Sequence, residues 1–163
     1  MMLTRDTAKE VGVDNRLDPE QSIVGGAQYF RTLLDRIPKD ISEPDRTYFA
    51  LAAYNVGLGH VHDARLITEQ LGGNPHKWAE VKEHLPLLAK SQYYRKTRHG
   101  YARGQEAVDY VQNIRNFHKI IAWSEVERER LTQLAMADHQ EPDFAEISTV
   151  MAEALKTIST SSL

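Results

Sequence analysis

The sequence predicts an all-α chain, and three observations carry that prediction. Apolar residues recur at spacings of three and four over most of the 163 residues, the period of one buried helical face. Helix start and stop signals punctuate those runs at plausible lengths. No β-type alternation lasts longer than a few residues, and no internal repeat is present.

The elements follow in order. Asp18 is placed to N-cap a helix, with Pro19 at its first position and Gln21 three residues on, a capping-box arrangement. Ile23, Ala27, Phe30, Leu34 and Ile37 then form one expected buried stripe, ended by Pro38. Ser42 is expected to cap a second helix, with Pro44 in its first turn, running to about Asn55. Val61, Ala64, Ile67 and Leu71 mark a third, stopped by Gly72-Gly73. Asn74-Pro75 restarts a helix bearing Trp78, Val81 and Leu85, interrupted near Pro86. Residues 91–104 read as the one long irregular stretch, rich in Tyr, Arg, Lys and Gly. A last long helix begins near Gly104 and carries Ala107, Tyr110, Val111, Ile114, Phe117 and Ile121 as its stripe. Past Trp123 the charged run Glu125–Arg130 reads as a solvated helical extension. The domain expectation is one body over 1–123 and an acidic helical extension with a Ser/Thr-rich tail over 124–163. In that tail Phe144, Ile147, Met151, Leu155 and Ile158 suggest a short amphipathic helix that packs on the body, binds a partner or frays.

Composition narrows the function classes. A net charge of −3 with 41% hydrophobic residues describes an ordinary globular chain. The charge is uneven: residues 1–123 hold 17 basic against 15 acidic side chains, a net of +2, and residues 124–163 hold 3 against 8, a net of −5. That balance gives no electrostatic footprint for nucleic acid. The absence of cysteine removes disulfides and thiolate metal sites. The seven histidines are scattered and form no His-Glu-x-x-His pattern, so no metal is expected. No phosphate-binding glycine loop or nucleophile elbow occurs, so no cofactor is expected. The longest apolar runs, such as 48–54 and 120–123, are too short to span a bilayer.

The most informative stretch is Ala50-Leu51-Ala52-Ala53-Tyr54-Asn55-Val56-Gly57-Leu58-Gly59. Phe49, Ala52 and Ala53 can line a buried face, and Gly57 and Gly59 let the backbone leave a helix. Tyr54 and Asn55 thus sit where a helix gives way to a loop. Taken alone, they are either a buried tyrosine with a capping asparagine or polar groups offered to a ligand.

Ala-Tyr-Asn-x-Gly resembles a motif of the lytic transglycosylases, the goose-lysozyme-like enzymes that cleave peptidoglycan. Other segments agree in the right order. Met1-Met2-Leu3-Thr4 resembles the tail of the family's Gly-Leu-Met-Gln segment. Asp18-Pro19-Glu20-Gln21-Ser22-Ile23, then Gly26 and Tyr29-Phe30, is similar to its Asp-Pro-x-x-Asn-Ile-x-x-Gly-x-x-Tyr-Leu helix. Glu106 with Tyr110-Val111 and Ile114 resembles its late tyrosine motif. Leu85-Pro86-Leu87-Leu88 and Gly100-Tyr101-Ala102-Arg103-Gly104 are similar to the family's F-type subgroup. The resemblance covers roughly residues 1–120 and implies an all-α, lysozyme-like fold.

The resemblance implies a mechanism built on one carboxyl group. A glutamate protonates the glycosidic oxygen between N-acetylmuramic acid and N-acetylglucosamine, then acts as base while the muramoyl 6-hydroxyl attacks the anomeric carbon. The product is a 1,6-anhydromuropeptide, and the scheme differs from the usual pair of carboxylates. In the family that glutamate stands in a Glu-Ser pair upstream of the Gly-Leu-Met-Gln segment, and no Glu-Ser pair occurs in this sequence. The expectation is an N-terminally truncated domain whose catalytic glutamate lies before residue 1, inactive alone, with apolar surface exposed around Met1, Leu3, Ala53 and Tyr54. By resemblance Tyr110 orients the catalytic carboxyl, Asn55 binds substrate, Tyr54 and Gly57 line the cleft, and Met2 shapes it. Tyr93 and Tyr101, in an aromatic and basic loop with Arg95, Lys96, Arg98 and Arg103, are either sugar-stacking groups or part of a solvated surface loop. The alternative for Tyr110 is a core tyrosine on its helix stripe. The expected partner is the peptidoglycan glycan strand, in the periplasm and at the outer membrane, with any anchor in the missing upstream part. The rival readings are a non-catalytic glycan-binding or interaction remnant of the same fold, and an unrelated helical protein with chance motifs.

Overall fold

The computed structural model describes residues 3–138 and the isolated positions 145, 148, 149 and 152. Among the described residues every regular element is helical: α1 (Arg5–Glu10), α2 (Pro19–Arg36), α3 (Asp45–Val56), α4 (Leu58–Gln70), α5 (Trp78–His84), a 3-10 turn (Leu85–Ala89), α6 (Ser91–Tyr94) and α7 (Gly104–Asp138). The all-α expectation holds. Met2 and the proposed tail helix around Phe144, Ile147, Met151, Leu155 and Ile158 lie outside the described residues. The chain divides into two compact units, Met1–Val111 and Gln112–Leu163.

The first unit holds the core. Leu33, Ile37, Ile41, Phe49, Ala52, Val61, Val81, Leu85, Leu88 and Val111 are buried in one cluster. Each large aliphatic or aromatic side chain so removed from water contributes about 1.5–3 kcal/mol. Phe49 meets Trp78 edge to face, with ring centroids 5.7 Å apart, and the Arg65 guanidinium lies over the Phe49 ring, 5.7 Å from its centroid. Leu3 and Ala53 are also buried, which corrects the expectation that they lie in exposed apolar surface.

Several helix ends differ from the sequence reading. Asp18 does cap α2, its Oδ1 accepting from Gln21 N at 2.8 Å. Gln21 does not complete a capping box, because its Oε1 accepts from Asn15 N at 3.1 Å instead. Ser42 is not the cap of the second helix: α3 starts at Asp45 with Pro44 at its cap position, and Glu43 Oε2 accepts from Thr47 N at 3.1 Å. Asp45 caps a distant helix, accepting from Trp78 N at 2.9 Å and Lys77 Nζ at 3.2 Å at the start of α5.

The stripe expected on α2 is only half right. Ile23 is 58% exposed and Ala27 is exposed, whereas Ser22, Gly25, Gly26 and Leu33 are buried. The reason is close packing: a Cβ on Gly25 would collide with Val13 and press on Leu3 and Val11. The first turns of α2 therefore bury glycine, which no hydrophobicity pattern marks. Ser22 Oγ donates to Arg16 O at 3.0 Å, tying the preceding loop down.

In the second unit, the described part of α7 continues from Gln112 to Asp138. Phe117 and Ile121, expected on the buried stripe, are 63% and 57% exposed, and Val126 and Met136 are exposed as well. In the first unit the buried hydrophobic residues of α7 are Ala107 and Val111.

A tyrosine cluster at the end of α3

The last turn of α3 places the expected site residues. Ala52 and Ala53 are fully packed into the core, and Tyr54 projects from the next position. Tyr29 of α2 meets Tyr54 edge to face, centroids 5.5 Å apart with the planes at 62°. Tyr110 of α7 stacks parallel on Tyr54, centroids 6.4 Å apart with the planes at 7°. Such ring pairs contribute about 0.5–1.5 kcal/mol beyond burial. Burial holds the Tyr110 phenol above its ordinary value. Burial does the same for Tyr54, aided by the neighbouring Tyr110 and Tyr29 rings. Neutral phenol hydroxyls thus persist throughout the physiological range, able to donate and accept hydrogen bonds without adding charge.

Asn55 is exposed beside this cluster, and its carboxamide has no partner among the described residues. Gly57 follows at φ 94° and ψ 143°, serving as the last cap of α3 and the first of α4. A side chain would disfavour that left-handed backbone, so one residue turns the chain between two helices. Gly59, expected to sit in a loop, lies instead in the first turn of α4, where a Cβ would overlap the ring of His99.

Below that contact Asp63 is 1% exposed. Its Oδ2 accepts from His99 N at 2.8 Å, and its Oδ1 is 3.2 Å from His99 Nδ1. His60 meets His99 edge to face at 6.0 Å. Burial lowers the affinity of His60 for its second proton, with His99 adding to that effect and Asp63 opposing it. These interactions pin the 95–103 segment onto α4. Among the described residues, no three His, Asp or Glu side chains are grouped as metal ligands would be.

Tyr54 and Tyr110 come together, with Asn55 and Gly57 at their edge. Tyr93 and Tyr101 take no part in the stack. Tyr93 is half-buried against the core and lines a cavity with Asp63 and Lys96. Tyr101 is 56% exposed and meets Tyr94 edge to face at 5.8 Å. Glu106 is exposed and pairs with Arg103 at 3.1 Å. Tyr29 is the cluster member that the motif reading quoted but gave no role. Asp63 was not singled out at all: its partner lies 36 residues away, a separation that no local pattern reveals.

The family model of the transglycosylase SLT domain matches residues 1–76, which hold Tyr29 and Tyr54 of the cluster. The relatives carry names that agree with the motif resemblance. Over its whole length the chain is 65% identical to membrane-bound lytic murein transglycosylase F of Saccharophagus degradans, covering 33% of that protein. It is 63% identical over 76% of its length to the protein of the same name from Pseudoalteromonas translucida, covering 26% of it. It is 51% identical over 86% of its length to that of Shewanella loihica, covering 30%. The chain therefore spans between about a quarter and a third of the length of these curated relatives.

Proposed function

We propose that this chain forms part of a peptidoglycan lytic transglycosylase, cleaving the β-1,4 bond between N-acetylmuramic acid and N-acetylglucosamine to a 1,6-anhydro product. The observation that carries the reading is the parallel stack of Tyr54 on Tyr110, which joins two separate family motifs into one neutral, partly buried surface. A single-glutamate mechanism needs such a surface, because a carboxyl group kept protonated near neutral pH requires apolar and uncharged neighbours. In this reading the Tyr110 hydroxyl orients the carboxyl group, Tyr54 lines the cleft, and Asn55 hydrogen-bonds the substrate. Gly57 sets the turn that presents Asn55, Met2 shapes the cleft as the resemblance implies, and the exposed Tyr101 extends substrate contacts from the 95–103 segment. The partner is the glycan strand, and the location is the cell envelope, specifically the periplasm at the outer membrane. No helix among the described residues is long and apolar enough to cross a membrane. With no Glu-Ser pair in its sequence, the chain by itself lacks the general acid, whose loss costs about 10²–10⁴-fold in rate.

Titration of the chain with chitooligosaccharide or muropeptide, followed residue by residue by NMR, tests the reading. Asn55→Ala loses one hydrogen bond and weakens binding about 2- to 13-fold. Tyr110→Phe removes only a hydroxyl whose carboxyl partner is not in this sequence, and leaves binding nearly unchanged. Incubation with murein sacculi yields no 1,6-anhydromuropeptides. Unresponsive Tyr54 and Asn55 resonances would remove the glycan site, and turnover at the rate of a full-length relative would show that the acid is misplaced.

A further inference from the structure

A cavity of about 490 Å3 opens between α4 and the segment 92–98, and it shares no lining residue with the tyrosine cluster. Leu66 and Gln70 of α4 form one wall, and Gln92, Lys96 and Arg98 stand on the other, with the buried carboxylate of Asp63 among its lining groups. We propose that this cavity binds the carboxylate end of a short peptide, with Lys96 and Arg98 as counter-charges and Gln70 and Gln92 as partners of its amide groups.

Four features support that chemistry. The volume falls within the range of small-ligand sites, about 300–1,000 Å3. Asp63 is already held by the backbone N–H and imidazole of His99, so its charge is answered within the protein. Lys96 and Arg98 are exposed, and among the described residues neither makes an ion pair, which leaves the cavity with a positive rim. The side chains of Gln70 and Gln92 have no hydrogen-bond partner among the described residues, and each offers two donors and an acceptor, the complement of a peptide backbone.

The half-exposed Leu66 provides an aliphatic contact for a small side chain. A sugar ring would call for an open aromatic face, whereas the one aromatic lining group, Tyr93, is partly buried against the core. The choice of a peptide as the source rests on the peptidoglycan reading above, since that polymer carries short peptides ending in carboxylates. The preference for a carboxylate rests on the cavity alone.

NMR titration of the whole chain with N-acetyl-D-alanyl-D-alanine, its C-terminal amide, and N-acetylmuramic acid tests the proposal. The free acid shifts the resonances of Gln70, Gln92 and Lys96, the amide does not, and the sugar acid acts elsewhere or more weakly. Lys96→Gln combined with Arg98→Gln, both at exposed positions, lowers affinity for the acid by about 2- to 30-fold, the range for two solvent-facing charge pairs. Equal response to acid and amide, or no response at these residues in the millimolar range, overturns the proposal. An equal response to N-acetylmuramic acid at the same residues overturns the peptide assignment. Because the readout residues differ from Tyr54 and Asn55, a silent tyrosine cluster beside a responsive cavity refutes the glycan reading and supports this one.

Discussion

Replacing Asp63 with alanine probes the contact that holds the 95–103 segment on α4. The carboxylate is 1% exposed and accepts from His99 N at 2.8 Å. A hydrogen bond to a charged acceptor is worth about 1.5–3 kcal/mol, and its loss strands a part-buried donor. The second contact, to His99 Nδ1, involves a side chain that is 38% exposed. Solvent screening limits it to at most about 1 kcal/mol. Together these give about 2–4 kcal/mol, which for a chain of this size lowers the melting temperature by about 4–16 °C. Asp63→Asn keeps an oxygen for His99 N and is expected to lose only the lower part of that range. Thermal unfolding followed by circular dichroism measures the loss, and hydrogen exchange shows whether the amides of 95–103 become labile first. A melting temperature within about 2 °C of the parent, or unchanged exchange in that segment, would refute the pinning role.

Three further outcomes are expected. Gly104→Ala places a Cβ into the backbone of Leu85 and Pro86 where α7 begins; overpacking of about 1–3 kcal/mol lowers the melting temperature by about 2–12 °C, and an unchanged value would refute that close approach. Tyr54 and Tyr110 keep their protons above the ordinary value of 10.0, so their contribution is fully present below pH 10 and is lost as pH rises through their folded-state values; denaturant titrations from pH 9 to 11 test this, and Tyr54→Phe is expected to make the decline shallower. Burial lowers the values of His60 and His62 from 6.5, so their contribution is present above about pH 6.5 and is lost as pH falls through the folded-state values; if His60→Gln left the acid side of the stability profile unaltered, that assignment would fail.

The helical class and the Asp18 cap were legible because each has a local signature; the motifs singled out Tyr54 and Tyr110 separately, and their stacking required the fold. What was not legible shares a different character. The buried face of α2 begins on Ser22, Gly25 and Gly26 rather than Ile23 and Ala27, since a glycine packed under Val13 carries no hydrophobic signal. Asp45 reads as a first-turn acid of its own helix, yet it caps α5, 33 residues on. Histidines 60 and 99 look scattered in the sequence and meet in space beside Asp63. In each case the deciding partner lies far along the chain. The aromatic and basic loop was noticed as a composition, but its division into a Tyr94–Tyr101 pair and a cavity wall bearing Tyr93 required the fold.

The contact between Gly59 and His99 has an evolutionary consequence. The imidazole occupies the volume that any side chain at position 59 would need, so the two positions share one allotment of space although 40 residues separate them. Alanine at 59 forces the His99 ring to move or to be replaced by a smaller group, whereas a smaller residue at 99 costs only a lost packing partner. The less costly order of substitution is therefore the loop residue first and the helix residue second. Glycine at 59 thus answers to its neighbour's bulk, not to the backbone freedom that glycine usually brings to a turn.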